Sequence, residues 1–355
     1  MKGEDGLVAR IARLYAGAPL PRDAIGIGDD AAVVRAQGGG VLLVSTDLFV
    51  EGVHFDPRYV PPTFVGHKAL AVAASDIGAM GGVPSGCLLS LAVPPRASGR
   101  LVEAVLAGFS GEALEIGIPL LGGDLSRSTS ALVLDVVVLG RPAGRRPILR
   151  SGAKPPDRLY VTGALGGSGA GLLRLKAGAR PSKALLEIPR GRPRPPGDDG
   201  WSRLDRAMET LSLMEHLRPR PPLAAGAAFG RSGLPTAMMD ISDGLAIDLH
   251  RLCKASGVGA RVHEEWVPVH PAARHFLGPR GLEAALGGGE DYELLLAAPS
   301  QCEARLKRIA RRAGSDLIQI GEIAERHQGL RLVSREGRAR PLPRVGFDHF
   351  AARGS

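Results

Sequence analysis

Apolar residues recur every three or four positions over DGLVARIARLYA (5–16). Leu7, Ile11 and Leu14 fall on one side, which predicts an amphipathic helix. A glycine turn then leads into VLLVSTD (41–47), which reads as a strand, and GCLLSLAVP (86–94) is a second strand stopped by proline. The Ala-rich run FVGHKALAVAASDIGAMGG (64–82) predicts a helix ending at Gly81–Gly82, and SGRLVEAVLAGFSGEALEIG (98–117) an amphipathic helix. ALVLDVVVLG (131–140) is strand-like. In the second half, DRLYVTG (157–163) is a strand and TGALGGSGAGLLRL (162–175) a glycine-rich turn into a helix. SRLDRAMETLSLMEHL (202–217) is helical, and MMDISDGLAIDLHRLCKAS (238–256) is a short strand, a turn and a helix. GARVHEEWVPV (259–269) reads as a strand. LGGGEDYELLLAAP (286–299) gives glycines, acids and a strand, and SQCEARLKRIARRAG (300–314) a helix before short closing strands. Helices and strands alternate irregularly, with long β-rich intervals in the first half. That predicts an α+β fold rather than a doubly wound parallel sheet.

The 355 residues exceed one ordinary core and suit two domains. Four prolines and a basic run over 141–163 mark the boundary, which divides the chain into 1–148 and 149–355. Aromatics make up 4%, so Ala, Val and Leu must do most of the packing. No apolar run approaches the roughly 20 residues that span a bilayer. The N-terminus carries acids where a secretory signal has its apolar core. Cys87, Cys253 and Cys302 are far apart and fit neither zinc spacing nor a disulfide framework. These features predict a cytoplasmic protein without membrane association.

The net charge of +9 raises the question of a nucleic-acid partner or an anionic substrate. Between Arg174 and Arg220 eleven Lys/Arg face six Asp/Glu, a net of +5, so over half the excess lies in one segment. Its Pro/Arg-rich part, about 176–200, reads as a solvated insertion loop. Few aromatics and no nucleic-acid-binding signature argue against nucleic acid.

Candidate chemistry lies in acids placed beside Gly, Ser or Thr at element ends. GIGDDAAVV holds Asp29 and Asp30, STD ends at Asp47, SD contains Asp76 and GGD contains Asp124. MDISDGL adds Asp240 and Asp243, and GGGED adds Glu290 and Asp291. Any one of these can be an Asx turn or a helix cap. Together, hard oxygen ligands on small-residue backbones suit Mg²⁺ that bridges to phosphates. Asp240 and Asp243 flank a helix start, which can cap the helix, hold a phosphate beside a metal, or do both. TGALGGSGAGLL lacks the Lys-Ser/Thr of a P-loop and reads as a turn leading into a helix. His54 is either structural or a contact for an anionic substrate, and His67 a surface or packing residue. Asp29 either holds its loop or reaches a metal through water.

In this order GIGDDAAVV, STDLFVEGVHF, KALAVAASDIGAMGGVP, LLGGDLSRS, DISDGL, GGGEDYELL and VGFDHF resemble the thiamine-monophosphate kinases, over about residues 5–350. The chain has Ala73 where that family commonly has Asn, and Phe347 where it more often has Tyr. The resemblance implies the two-domain fold of the aminoimidazole ribonucleotide synthetase-like superfamily, with an N-terminal metal- and ATP-binding domain, a C-terminal α/β sandwich, and a homodimer that pairs N-terminal sheets. It implies transfer of phosphate from ATP to thiamine monophosphate with several Mg²⁺ ions. Asp30, Ser45, Thr46, Asp47, Asp76, Asp124, Asp240 and Asp243 would be metal ligands, direct or through water. Gly123, Asp124, Arg150 and Ser242 would line the ATP site. His54, Glu290 and Phe347 would touch the thiamine substrate. Within the superfamily, selenophosphate synthetases carry a reactive Cys or selenocysteine near the N-terminus, and here the first cysteine is Cys87.

Overall fold

The computed structural model describes residues 3–16, 20–21, 24–35, 39–181 and 202–350. The core of the basic segment, 182–200, lies outside the described residues. Helix α1 (Gly3–Tyr15) forms as its periodicity predicts but contains no buried residue; Leu14 is 71% exposed. Strands β1 (Ala32–Arg35) and β2 (Val41–Val50) lead to α2 (Pro62–Ala79), which starts on a proline suited to a first helical turn. Next come β3 (Gly82–Val93), α3 (Gly99–Ile116), β4 (Leu120–Arg127) and β5 (Val133–Pro142). Ser98 caps α3 by accepting from Leu101 N at 3.2 Å, and Gly117 at φ +73° ends it.

These strands form one sheet in the order β1-β2-β5-β3-β4, antiparallel except for the parallel β3/β4 pair. One face packs under α2, and α3 covers α2. The two helices touch through glycine. A Cβ on Gly66 would lie 1.8 Å from Val105 O, and one on Gly108 1.8 Å from Thr63 O. β4 was not legible as a strand: every residue is exposed and its centre is Gly122–Gly123. Gly123 is required there, because a Cβ would lie 1.8 Å from Leu89 O on β3.

The second half builds β6 (Arg158–Thr162), α4 (Gly167–Lys176), α5 (Arg203–Leu217), α6 (Leu223–Ser232), β7 (Ala237–Ile241) and α7 (Leu245–Ser256). It continues with β8 (Gly259–His263), α8 (Pro271–Leu277), α9 (Gly281–Gly287) and β9 (Glu293–Ala298). It closes with α10 (Glu303–Arg312), β10 (Leu317–Ala324), β11 (Leu330–Val333) and β12 (Ala339–Pro341). β8 is shorter than the predicted strand. The chain leaves the sheet after His263 into a 3-10 turn, where Trp266 stacks on the His263 ring at 4.0 Å.

The second sheet runs β12-β11-β8-β10-β6-β9-β7. Its strands alternate between two apolar layers. Leu159, Val161 and Met239 face α7 and α9, while Tyr160, Met238 and Leu296 face α6 and α10. A sheet covered on both sides explains the unbroken apolar runs in its strands.

The two halves meet through α2. A Cβ on Gly226 would fall 2.3 Å from Gly78 O, and one on Gly230 2.0 Å from Gly81 O, so α6 lies backbone against backbone on the end of α2. No described helix is long and apolar enough to cross a membrane.

Candidate active site

One cavity of about 1150 Å³ lies between the two halves. It is lined by Asp30, Asp47 and Asp76 from the first and by Asp240, Ser242, Asp243 and Glu290 from the second. Arg150, His54 and Phe347 also line it.

The carboxylates arrive by different local rules. Ser45 and Asp47 lie two apart on β2 and face α2, where the Ser45 hydroxyl donates to Asp76. Asp240 ends β7 and accepts from Ser75 Oγ at 2.7 Å. Asp30 precedes β1 and pairs with Arg150, Nη2 at 2.6 Å and Nε at 3.1 Å. Ligand oxygens of Asp30, Asp76 and Asp240 all lie within 4.8 Å of one another. Among the described residues, Asp30 Oδ2 is buried without a hydrogen-bond partner. Three buried or partly buried carboxylates facing one another, one with an orphan oxygen, fit a hard divalent cation.

The electrostatics show the same stress. Burial, then the charges of Asp47, Asp240 and Asp30, hold the Asp76 carboxyl well above the usual range. Burial and Asp30 do the same to Asp240. Asp47 is pushed up to about 6 by burial and by Asp135 and Asp243. Asp29 is also raised to about 6, by burial and by Asp30. It holds its loop by accepting from Arg150 N at 3.2 Å. Asp243 faces the cavity but is paired with Arg251 Nη1 at 2.5 Å, and Asp248 accepts from Asp243 N and Gly244 N at 3.0 and 3.1 Å.

Three predicted site residues, Thr46, Gly123 and Asp124, lie elsewhere. Thr46 follows Ser45 on a strand, so its side chain turns to the opposite face, where it donates to Asp135 Oδ1 at 2.8 Å. Gly123 and Asp124 sit on exposed β4, outside the cavity lining. Asp291 does not converge with Glu290. It accepts from Gly166 N at 2.7 Å and Ser168 N at 3.3 Å, and so caps α4. The free amides of the glycine-rich turn are therefore partly taken by protein, which agrees with reading it as a turn leading into a helix.

At the other end, the Glu290 carboxylate meets Lys68 Nζ at 2.7 Å and His216 Nδ1 at 3.2 Å. Burial favours its neutral form, but Lys68 and His216 outweigh this and hold Glu290 well below the usual range. His54 is a partly buried ring whose Nδ1 accepts from Val50 N at 2.9 Å. Burial, with His349, pushes it down to about 4, so it is neutral at physiological pH. The His349 ring lies 5.0 Å from His54 and edge-on to Phe347 at 4.6 Å. Phe347 is 45% exposed and held by its N–H donating to Asp243 O at 3.0 Å. Sequence reasoning missed Lys68, His216 and His349. His349 was within reach, two residues from Phe347 in VGFDHF. His67 is not on the surface. It is buried between Glu112 Oε2 at 2.7 Å and Arg218 Nε at 3.1 Å.

The chain as a whole is similar to known proteins. The AIR synthase related protein N-terminal domain matches residues 28–141 and the C-terminal domain matches 154–333. The chain is 33% identical over 329 residues to the thiamine-monophosphate kinase of Bacillus subtilis (strain 168), covering 92% of this chain and 93% of that one. It is 35% identical over 357 residues to the thiamine-monophosphate kinase of Salmonella typhimurium (strain LT2), covering 98% of each. A solved structure described as AaThiL complexed with AMPPCP and TMP superimposes with a TM-score of 0.76 at 29% identity, over 98% of this chain and 97% of that one.

Proposed function

The chain belongs to the thiamine-monophosphate kinases, within the AIR synthase related proteins, and from that premise we propose that it transfers a phosphate from ATP to thiamine monophosphate, giving thiamine diphosphate. The observation that carries this reading is the convergence of Asp30, Asp76 and Asp240 on one wall of a cavity large enough for two phosphorylated substrates. Several Mg²⁺ ions held by these residues, with Ser45, Asp47 and Asp243, would neutralise the phosphate charge when bound. Thr46, Gly123 and Asp124 belong to the same reading through the outer sheet face and the edge strand β4. Exposed Leu48, Leu120, Leu121 and Leu125 make those surfaces fit for a homodimer that pairs N-terminal sheets.

The chain's own groups act by placement. Arg150, beside the carboxylates, is a cation placed to meet ATP phosphates. Ser242 lines the cavity just before α7, whose N-terminal dipole favours phosphate. His54 and Phe347 offer a neutral, partly aromatic wall to the thiamine rings. The acceptor is already a phosphate oxygen and needs little activation. We therefore read the reaction as direct in-line transfer with neither a phosphoenzyme nor an obligatory base. Incubation with ATP, Mg²⁺ and thiamine monophosphate is expected to yield thiamine diphosphate and ADP. No turnover, with clear activity on a purine precursor instead, overturns the assignment. A radiolabelled phosphoenzyme that survives denaturation overturns the direct route.

The raised carboxylates also predict how metal binding depends on pH. A carboxyl whose folded pKa is raised holds its proton in the window from about 4, its unfolded value, to the folded value, which is about 6 for Asp47. The stabilisation from that proton is lost as pH rises through the folded value, and Mg²⁺ must displace it below that value. Saturating Mg²⁺ is expected to raise the unfolding midpoint clearly at about pH 7.5 and little at about pH 5. Thermal shift at the two pH values checks this, and equal shifts contradict it.

A further inference from the structure

Lys68 is the least expected residue near the cavity. It lies on α2 with its side chain 4% exposed, and a buried ammonium is costly without a partner. Its ion-pair partner is Glu290 Oε1 at 2.7 Å, while His216 Nδ1 meets Glu290 Oε2 at 3.2 Å and Ser168 Oγ at 3.0 Å. Both carboxylate oxygens are thus held from behind by α2 and α5, while Glu290 still lines the cavity and is 27% exposed. Its backbone is held too, at φ +59°, in the left-handed region that a non-glycine residue enters at a cost. Two turns further along α2 lies Asp76. Eight residues at 1.5 Å each place the Lys68 end and the carboxylate cluster about 12 Å apart along one helix.

We propose that Lys68 is a positioning residue for the acceptor: its ion pair fixes the rotamer and charge of Glu290, and through Glu290 the ring end of thiamine monophosphate, without touching phosphoryl transfer. This rests on the functional reading above and extends it to a residue that does not line the cavity. A carboxylate already paired with Lys68 offers a hydrogen-bond acceptor rather than a free negative charge. It therefore suits a donor group on a neutral ring better than a cation.

Steady-state kinetics on Lys68→Met, Glu290→Gln and the double variant test this. Each single variant is expected to raise KM for thiamine monophosphate by about 30-fold, with kcat within about threefold and KM for ATP unchanged. The double variant is expected to be no worse than either single, and Lys68→Arg to recover most of the loss. If Lys68→Met does not fold, Lys68→Arg takes its place in the cycle and is expected to raise KM about fivefold on the native background and not on Glu290→Gln. The proposal is overturned if the two effects add. It is also overturned if Lys68→Met leaves KM for thiamine monophosphate unchanged while Glu290→Gln raises it, or if kcat and both KM values worsen together. A native enzyme that does not phosphorylate thiamine monophosphate overturns the functional reading instead, and Glu290→Gln with unchanged KM overturns the role of Glu290 itself.

Discussion

Asp76→Asn is expected to lower kcat on the order of 10³-fold and, in the same protein, to raise the unfolding midpoint in the absence of metal. The first effect follows from removing a central charge from the group that faces the phosphates, where fixed electrostatics carry most of the catalysis. The second follows from the repulsion among Asp76, Asp47, Asp240 and Asp30, which an isosteric amide relieves. Each kcal/mol so gained moves the midpoint of a chain this size by about 2 °C. The gain should shrink as pH falls, because burial and the neighbouring acids make the native carboxyl take up its proton more readily than an ordinary carboxyl. Kinetics and metal-free thermal melts at two pH values check it. A variant that keeps near-native turnover removes the metal-cluster reading, and one that loses activity with a lowered midpoint shows general damage instead.

Gly66→Ala is expected to cost on the order of 4 kcal/mol and to leave little folded protein. The added methyl would sit 1.8 Å from Val105 O and 2.7 Å from Phe109 N, both rigid helix backbone, so α2 and α3 must separate. α2 carries Lys68, Ser75 and Asp76, so separation also misplaces the site. Gly111→Ala on the same α3 is the control. Its Cβ meets nothing within 4 Å, and gained helix propensity should stabilise by about 0.5–1 kcal/mol. Denaturant unfolding of the pair separates the two effects. Equal stability of both variants would remove the close-contact argument.

Much of this was legible in the chain. Periodicity placed α2 and α3, and the acids beside small residues marked the places where Asp30, Asp47, Asp76 and Asp240 meet. The period of a strand also separates neighbouring residues. Ser45, Thr46 and Asp47 are consecutive, so Thr46 had to face away from its neighbours. Other features were hidden for physical reasons. β4 carries exposed leucines and paired glycines, so neither its apolar content nor its β-propensity marks a strand. Glu290 and Asp291 are adjacent and chemically alike. Only tertiary contacts divide them, one toward Lys68 and His216 and the other toward the start of α4. Lys68 lies more than 200 residues from Glu290, and no local pattern announces the pair.

The four glycines where α6 meets α2 have a consequence for how this protein can drift. Asp76 sits on α2 and Asp240 on β7, so their spacing depends on how the two halves are set against each other. Around Gly78, Gly81, Gly226 and Gly230 part of that setting is main chain close against main chain, which leaves no room there for a side chain to be swapped in. Sequence change can therefore repaint the cavity walls and retune what they accept, while the gauge between the halves stays where the bare backbone fixed it.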